Sequence, residues 1–278
     1  MFKTRLLSGI VLVALALFLM ITGGDVLLGA LLMVSLIGMY ELYRIFHVEK
    51  SIAGMFGYVA AVIFFLGLRQ PSFFDAQTFD WAGVFQGMAF VMGLLICLMF
   101  VYVFTYPKYK TEKILAVFFG VFYVAVMLSG IYQTRMLDRG AYIVWLIFLC
   151  SWGCDTCAYC VGVLIGKHKM SPKLSPKKSI EGAVGGVVGS MLLTALYVWI
   201  FREPMRAETE EILLFSGICG VGALISMVGD LAASAIKRNY EIKDYGKLIP
   251  GHGGILDRFD SVIFTAPVIY YLAAYLIK

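Results

Sequence analysis

The sequence predicts an all-α integral membrane protein with about nine transmembrane helices. Its mean hydropathy is +0.87, and only 15% of its 278 residues are charged. An ordinary soluble domain carries about 25% charged residues. Apolar runs close to the ~20 residues that a spanning helix needs recur along the whole chain. Together these observations exclude an ordinary soluble domain.

The predicted spans follow one another with short polar connections. They cover about residues 6–22, 26–43, 52–68, 83–106, 114–132, 141–166, 183–201, 212–236 and 260–277. The first run follows Lys3 and Arg5, as the apolar part of a signal peptide would. Because it is long, lacks a small-residue cleavage site and precedes eight more spans, we interpret it as a retained anchor.

The basic residues predict the orientation of the chain. With the N-terminus in the cytoplasm, 17 of the 23 lysines and arginines fall on the cytoplasmic side. This is the distribution that the positive-inside rule describes. A basic cytoplasmic surface suits anionic lipid headgroups or a phosphorylated substrate. We therefore expect an integral protein of a bacterial inner membrane whose active site faces the cytoplasm.

The chain changes character near residue 140. In residues 1–140 no ionisable group lies deep in the apolar core of a predicted span, which predicts helices that serve as a scaffold or in oligomerisation. In residues 141–278 carboxylates enter the spans, and two cytoplasmic loops at 167–182 and 237–259 become rich in polar residues. We therefore expect the chemistry in the C-terminal part. A homodimer built on the N-terminal helices is a further prediction.

Asp155 and Asp230 lie inside apolar runs. A carboxylate in a bilayer is costly, so by default it marks a functional site, although a structural carboxylate paired with a base is the alternative. Steps of three and four residues place each aspartate on a polar helix face: Ser226, Asp230, Ser234 and Lys237 on the eighth span, and Asp155, Tyr159, Gly162 and Gly166 on the sixth. We predict that both carboxylates face one cytoplasmic cavity.

The two cytoplasmic loops supply positive charge and a flexible turn. The first, GKHKMSPKLSPKKSIEG, contains prolines that prevent a regular helix and five lysines that suit a phosphate. Topology alone would also explain these lysines. The second loop leads into IPGHGGILDRFDS (249–261), where glycines allow the backbone to approach a ligand. His252 sits in that turn, and Asp257 and Asp260 share a face of the last helix.

This set of groups is typical of a site for a phosphate-bearing substrate with Mg²⁺. Magnesium is usually held by one or two carboxylates together with substrate phosphates. Basic side chains neutralise the charge that develops on phosphoryl oxygens. No Walker loop is present, and the small-xxx-small spacing of Gly182, Gly185, Gly186 and Gly189 predicts helix packing rather than phosphate binding.

The stretch from Ser234 to Asp260, SAIKRNYEIKDYGKLIPGHGGILDRFD, resembles the signature of the phosphatidate cytidylyltransferase (CDP-diacylglycerol synthase) family. Upstream, D-x-x-A-Y-x-x-G from Asp155 and SPKKSIEG from Ser175 resemble the same family. The resemblance covers roughly residues 150–262. It implies that CTP and phosphatidate react to give CDP-diacylglycerol and pyrophosphate, with Mg²⁺ as cofactor and room for a second metal ion.

The resemblance also implies roles for individual residues. Metal carboxylates are implied at Asp230, Asp257 and Asp260. Catalytic groups are implied at Asp230, Lys237, Arg238, His252 and Asp257. Substrate-binding positions are implied at Asp155, Tyr159, Lys177, Lys178, Ser234, Lys243, Asp244, Gly253, Gly254 and Arg258. Since the phosphatidate phosphate is already an anion, catalysis would rest on alignment and charge neutralisation.

Three alternatives differ from this prediction in substrate or in class. A secondary transporter would also place carboxylates inside its spans, but we find no repeat symmetry in the sequence. A CTP-dependent enzyme acting on another lipid phosphate stays open, because apolar helices carry no readable code for lipid tails. The pattern of a CDP-alcohol phosphotransferase is absent from the sequence. Membrane lipids are expected partners, and nucleic acid is not.

Overall fold

The structure is a computed structural model that describes residues 2–69, 81–251 and 253–277. Helices make up most of this part of the chain. They are α1 (Phe2–Thr22), α2 (Gly24–Ile45), α3 (Ile52–Gly67), α4 (Trp81–Phe104), α5 (Thr111–Gly120), α6 (Met127–Met136), α7 (Gly140–Phe148), α8 (Cys154–Ile165), α9 (Ile180–Ile200), α10 (Arg202–Met205), α11 (Glu211–Asn239) and α12 (Leu256–Leu276).

Within the described residues, seven helices are long and apolar enough to cross a membrane. They are Gly24–Ile45, Gly87–Phe104, Thr111–Met136, Gly140–Ile165, Ile180–Ile200, Glu211–Asn239 and Leu256–Leu276. Two of these spans contain a π-helical segment that joins two α-helices. In Thr111–Met136, Val121–Val126 joins α5 to α6, and in Gly140–Ile165, Leu149–Gly153 joins α7 to α8. The predicted first and third spans correspond to shorter apolar helices, Gly9–Thr22 and Ile52–Gly67. The chain is an integral membrane protein, and the count of nine spans and the orientation stay predictions.

The loop predicted to lack a regular helix forms a small antiparallel hairpin. Strand β1 (Lys169–Ser171) pairs with β2 (Ser175–Ser179), with Lys169 opposite Ser179. The Ser179 side chain then accepts a hydrogen bond of 3.1 Å from the Gly182 backbone N–H and caps α9. The predicted helical fold holds for the spans, and this hairpin is an addition that the hydropathy pattern does not reveal.

The helices α8 and α9 pack closely because glycines line α9. A Cβ atom at Gly186 would lie 2.9 Å from the Cys154 sulfur, and one at Gly189 would lie 2.6 Å from the Cys157 sulfur. Gly182 and Gly185 likewise face residues of α8. The predicted packing role of these glycines is confirmed, since side chains there would push the two helices apart.

The chain divides into two compact units. The first combines Met1–Tyr132 with Asp244–Asp257, and the second combines Gln133–Lys243 with Arg258–Lys278. The division falls near the predicted boundary at residue 140. It assigns the segment 244–257, predicted as part of the C-terminal region, to the unit of the N-terminal helices. The functional contrast between scaffold and catalytic regions stays a prediction.

Candidate active site

A cavity of about 480 Å³ lies within the second unit, between α8, the hairpin, the start of α9 and α11. Asp155 on α8 and Asp230 on α11 both line it, as the two helical stripes predict. The hairpin contributes lysines, and the α9 start contributes small residues that leave room. The polar members of the wall are Asp155, Tyr159, Lys169, Lys177, Lys178, Ser179 and Asp230.

The charged groups of this cavity include an ion pair between Lys178 and Asp230. The ammonium group comes from β2 and the carboxylate from α11, and their side chains are 26% and 23% exposed. A partly buried pair is screened less by water and salt than a surface pair. A phosphate group entering this cavity would therefore meet a localised cation, and a metal cation would meet a localised carboxylate.

The remaining wall of the cavity is apolar. It includes Val163, Met170 and Met227. Tyr159, one of the polar lining residues, is 73% exposed. Ligand sites commonly combine an apolar lining with a few placed polar groups. This cavity is suited to a ligand that has both a charged group and an apolar part.

The second unit brings Asp260 close to Asp230. A Cβ atom at Gly229 would lie 3.0 Å from the Asp260 carbonyl oxygen, so α11 and α12 approach closely beside Asp230. Asp260 is also within electrostatic range of Asp230, Asp155 and Lys237. Its Oδ1 atom accepts a hydrogen bond of 2.8 Å from the Ser261 N–H. The charge of Asp260 is therefore felt together with those of Asp155, Asp230 and Lys237.

Arg258 belongs to the same unit. Its backbone carbonyl accepts a hydrogen bond of 3.3 Å from the Trp152 indole N–H, which fixes the start of α12 against the π-helical turn. The Arg258 Nε atom is buried and has no hydrogen-bond partner among the described residues. A buried guanidinium donor of this kind suits a phosphate or carboxylate ligand.

The carboxylates fit a magnesium ion in part. Within the described ranges, no group of three or more His, Cys, Asp or Glu side chains is arranged to hold a metal ion. The roles of Asp230, Asp257 and Asp260 as metal carboxylates stay a prediction. Magnesium needs only one or two protein carboxylates when substrate phosphates complete its coordination. Asp230 and Asp260 fit that requirement.

The described residues of the segment 244–257, called the glycine loop below, belong to the first unit and are organised by Asp257. The Asp257 side chain is only 7% exposed, and its Oδ2 atom accepts hydrogen bonds from the Tyr245 N–H (2.8 Å) and the Gly254 N–H (2.9 Å). Gly253 has φ +86°, and a Cβ atom there would lie 2.8 Å from the Asp257 Oδ2 atom. The Ile249 N–H donates to the Gly253 carbonyl at 2.8 Å and closes the turn.

Glu41 contacts the glycine loop and was not among the predicted site residues. It lies near the end of α2, and its side chain is 4% exposed. The carboxylate accepts hydrogen bonds from the Ile255 N–H (3.1 Å) and the Leu256 N–H (2.9 Å). The signal in the sequence is a glutamate placed inside the predicted span 26–43, at its end.

Arg44 is a second residue that the sequence analysis counted only for topology. Its Nη2 atom donates a hydrogen bond of 2.6 Å to the Tyr245 carbonyl oxygen. Gly254, predicted to bind substrate, is buried against the Glu41 carboxylate. A protein carboxylate therefore occupies the space beside this glycine.

The other predicted site residues lie on or just after α11. Ser234 and Lys237 are half-buried in the last turns of that helix, and Arg238 is exposed beside them. Lys243 and Asp244 are exposed in the segment that follows. His252 lies outside the described residues. The catalytic and binding roles of all of these stay predictions.

The fold and the charged cavity define a helical membrane protein that is equipped for an anionic, partly apolar ligand. Comparison with known proteins specifies the class. The cytidylyltransferase family matches residues 3–276, and the chain belongs to this family. The match includes the N-terminal helices, for which the sequence analysis found no family motif.

Relatives resemble the chain over nearly its full length. The phosphatidate cytidylyltransferase of Bacillus subtilis (strain 168) is 30% identical over 279 residues, which cover 98% of this chain and 97% of the relative. The phosphatidate cytidylyltransferase of Staphylococcus haemolyticus (strain JCSC1435) is 31% identical over 271 residues, covering 97% of this chain and 98% of the relative. The family match favours the predicted enzyme over the alternative of a secondary transporter.

Proposed function

We propose that this protein transfers the cytidylyl group of CTP to phosphatidate, giving CDP-diacylglycerol and pyrophosphate in phospholipid biosynthesis. The observation that carries the proposal is the similarity to phosphatidate cytidylyltransferases along the whole chain. The membrane-spanning helices and the charged cavity support it, because both substrates carry phosphate and one is a lipid. The proposed setting is a bacterial inner membrane, with the cavity open to the cytoplasm.

The proposed chemistry needs no nucleophile from the protein. A phosphate oxygen of phosphatidate attacks the α-phosphorus of CTP and forms a new P–O–P bond. The bond from the α-phosphorus to the bridging β-phosphate oxygen breaks, and pyrophosphate leaves with its electron pair. Such reactions are accelerated mainly by aligning the two phosphates and neutralising their charge.

The residues of the charged cavity are suited to that task. Lys178, Lys177 and Lys169, which line the cavity, would bind phosphoryl oxygens. The buried Arg258 Nε at the start of α12, which is not part of the cavity lining, would donate to the same substrate. Since Lys178 is paired with Asp230, substrate phosphate would compete with this carboxylate for the lysine. Breaking the pair would leave Asp230 available for a cation. The ion pair thus links phosphate binding to cation binding.

We propose Mg²⁺ as the cofactor, held by Asp230 and Asp260, with Asp257 as a third predicted carboxylate. When bound, the ion would withdraw charge from the phosphate oxygens of CTP and assist the departure of pyrophosphate. The protein's own part is to fix the carboxylates on α11 and α12, which approach closely at Gly229. A homodimer also stays a prediction.

The test is a transfer assay with the full chain purified in detergent. Labelled CTP and Mg²⁺ are incubated with short-chain phosphatidate, or with a polyprenyl phosphate or an archaeal-type ether-linked lipid phosphate in parallel reactions. Wild type is compared with Asp230→Asn, and with Asp138→Asn, an exposed aspartate in the turn before α7, as the matched control. We expect lipid-linked label with phosphatidate in wild type and control, and a loss of at least about 100-fold in Asp230→Asn.

The outcomes separate the hypotheses. Transfer only to another lipid phosphate would preserve the chemistry and overturn the substrate. Equal activity of wild type and Asp230→Asn would exclude Asp230 from the site. No transfer to any lipid phosphate by a folded sample would overturn the proposed function.

A further inference from the structure

Two charged residues of α2 bind the glycine loop at both of its ends. Glu41 and Arg44 lie one helical turn apart, and their partners follow them by more than 200 residues in the chain. We propose that Glu41 and Arg44 are positioning residues, which hold the glycine loop and Asp257 in the shape that the transfer reaction requires. This inference rests on the proposed function, because the loop carries part of the family signature.

The Glu41 carboxylate fixes the start of α12. The first backbone N–H groups of a helix have no partner within the helix. Glu41 accepts two of them, from Ile255 and Leu256, with one carboxylate oxygen each. Hydrogen bonds to a charged acceptor are stronger than neutral ones. The residue immediately after this pair is Asp257, so the Glu41 contact fixes the backbone that presents the Asp257 carboxylate.

Arg44 fixes the other end of the loop. Its guanidinium donates to the Tyr245 carbonyl, and the Tyr245 N–H in turn donates to the Asp257 Oδ2 atom. The aromatic ring of Tyr245 is buried, with 1% exposure. A continuous series of hydrogen bonds therefore runs from Arg44 through Tyr245 to Asp257. Asp257 is held from both sides by contacts that originate on α2.

Two other helix starts, those of α3 and α9, show that capping alone does not need such an arrangement. Helix α3 is capped by its own Ser51, and α9 by its own Ser179, each accepting from a backbone N–H three residues later. Both caps are local and involve no distant helix. In α12, by contrast, a nearly buried charge from α2 takes the place of a local serine. Burying a charge is costly unless it is well hydrogen-bonded, so this choice indicates a need for fixed position.

The glycines of the loop fit the same interpretation. A Cβ atom at Gly246 or at Gly254 would contact the Glu41 carboxylate. On α2 itself, a Cβ atom at Gly38 would lie 3.2 Å from Leu256 Cδ2. Three glycines therefore allow α2 and the loop to approach closely enough for the Glu41 hydrogen bonds to form.

The experiment combines hydrogen–deuterium exchange with steady-state kinetics on the full chain in detergent. Variants are Glu41→Gln, which keeps the shape and removes the charge, Glu41→Ala and Arg44→Ala. The matched control is Glu112→Gln, an exposed glutamate in the first turn of α5. Exchange is followed in peptides covering 245–251 and 253–257 and, for reference, in α5. Kinetic constants are measured for CTP with short-chain phosphatidate.

We expect loop amides to exchange about tenfold faster in Glu41→Ala, with α5 unchanged, because local opening is limited by the lost hydrogen bonds. We expect kcat to fall about 10- to 100-fold, a typical effect of removing a group that orients a functional residue. The KM for CTP should change by less than about threefold. Because a loss of folded protein would also lower the apparent kcat without changing KM, kcat is referred to the folded fraction, for which unchanged exchange in α5 is the check. Glu41→Gln and Arg44→Ala should fall between Glu41→Ala and wild type in both readouts.

Unchanged exchange in the loop would overturn the inference, and so would faster exchange with wild-type kcat. A loss of the same size in Glu112→Gln would also overturn it, since the effect would not be specific to α2. If wild type transfers no cytidylyl group, the proposed function and the positioning role fail together. The exchange data would then still decide whether the contacts hold the loop.

Discussion

The substitution Gly254→Ala tests the contact between α2 and the glycine loop by adding one methyl group where the Glu41 carboxylate lies. Gly254 is buried, and its backbone is not in the positive-φ region that disfavours alanine. A Cβ atom there would contact the carboxyl carbon and both carboxylate oxygens of Glu41. Because the nearest atoms are the end of a side chain, Glu41 has to move away. We therefore expect the substitution to act through Glu41.

The magnitude follows from the hydrogen bonds that Glu41 would lose. It accepts from the Ile255 and Leu256 N–H groups at 3.1 and 2.9 Å. A hydrogen bond to a charged group contributes about 1.5–3 kcal/mol. Loss of one of these bonds, or partial weakening of both, costs about 1.5 kcal/mol, which is about a tenfold increase in loop opening, similar to the effect expected for Glu41→Ala.

The assay measures exchange of the loop amides and kcat in wild type, Gly254→Ala, Glu41→Ala and the double variant. The control is Gly29→Ala on α2, where a Cβ atom meets nothing within 4 Å. If Gly254 only provides space for Glu41, the double variant should be within about twofold of Glu41→Ala, since residues in contact are not additive. Fully additive losses in the double variant would refute this reasoning.

Other substitutions probe the cavity and the helix packing. Lys178→Met should lower kcat/KM for CTP by about 10- to 100-fold, measured by label transfer, while Lys173→Met in the exposed hairpin turn should change it less than about twofold. Gly186→Ala should destabilise the protein by about 1–3 kcal/mol, seen as a lower midpoint in thermal unfolding in detergent. Gly217→Ala, where a Cβ meets no atom within 4 Å, should not destabilise it. EDTA should abolish transfer and added Mg²⁺ should restore it, and Asp260→Asn should raise the Mg²⁺ concentration for half-maximal activity about tenfold or more. Activity that survives EDTA would contradict the metal assignment.

Periodic features of the sequence predicted the structure well. Hydropathy located the helices, because a helix that spans a bilayer needs a minimum number of consecutive apolar residues, and such a run can be recognised without knowing the rest of the fold. The glycine spacing of α9 predicted a helix-packing face for a similar reason, since helical steps of three and four residues define a face. The structure then shows that this face packs on α8. Steps of four along α8 and α11 also placed Asp155 and Asp230 in one cavity. In each case the information is local.

Features that depend on distant contacts were not predicted. Glu41 and Arg44 looked like ordinary charges at the end of a span, and nothing near them in the sequence indicates a partner beyond residue 244. The hairpin at 169–179 is too short and too polar to show a strand pattern, so only the absence of a helix was foreseen. The compact unit that joins the glycine loop to the N-terminal helices has no periodic signal at all.

The most direct test of the central claim compares two positions of label in CTP. The purified chain is given phosphatidate, Mg²⁺ and CTP that is labelled at either the α-phosphate or the γ-phosphate. Cytidylyl transfer predicts that the α label enters the lipid fraction and that the γ label is released in pyrophosphate. Entry of the γ label into lipid would indicate phosphoryl transfer and contradict the account. Failure of either label to leave CTP in a folded sample would contradict it as well.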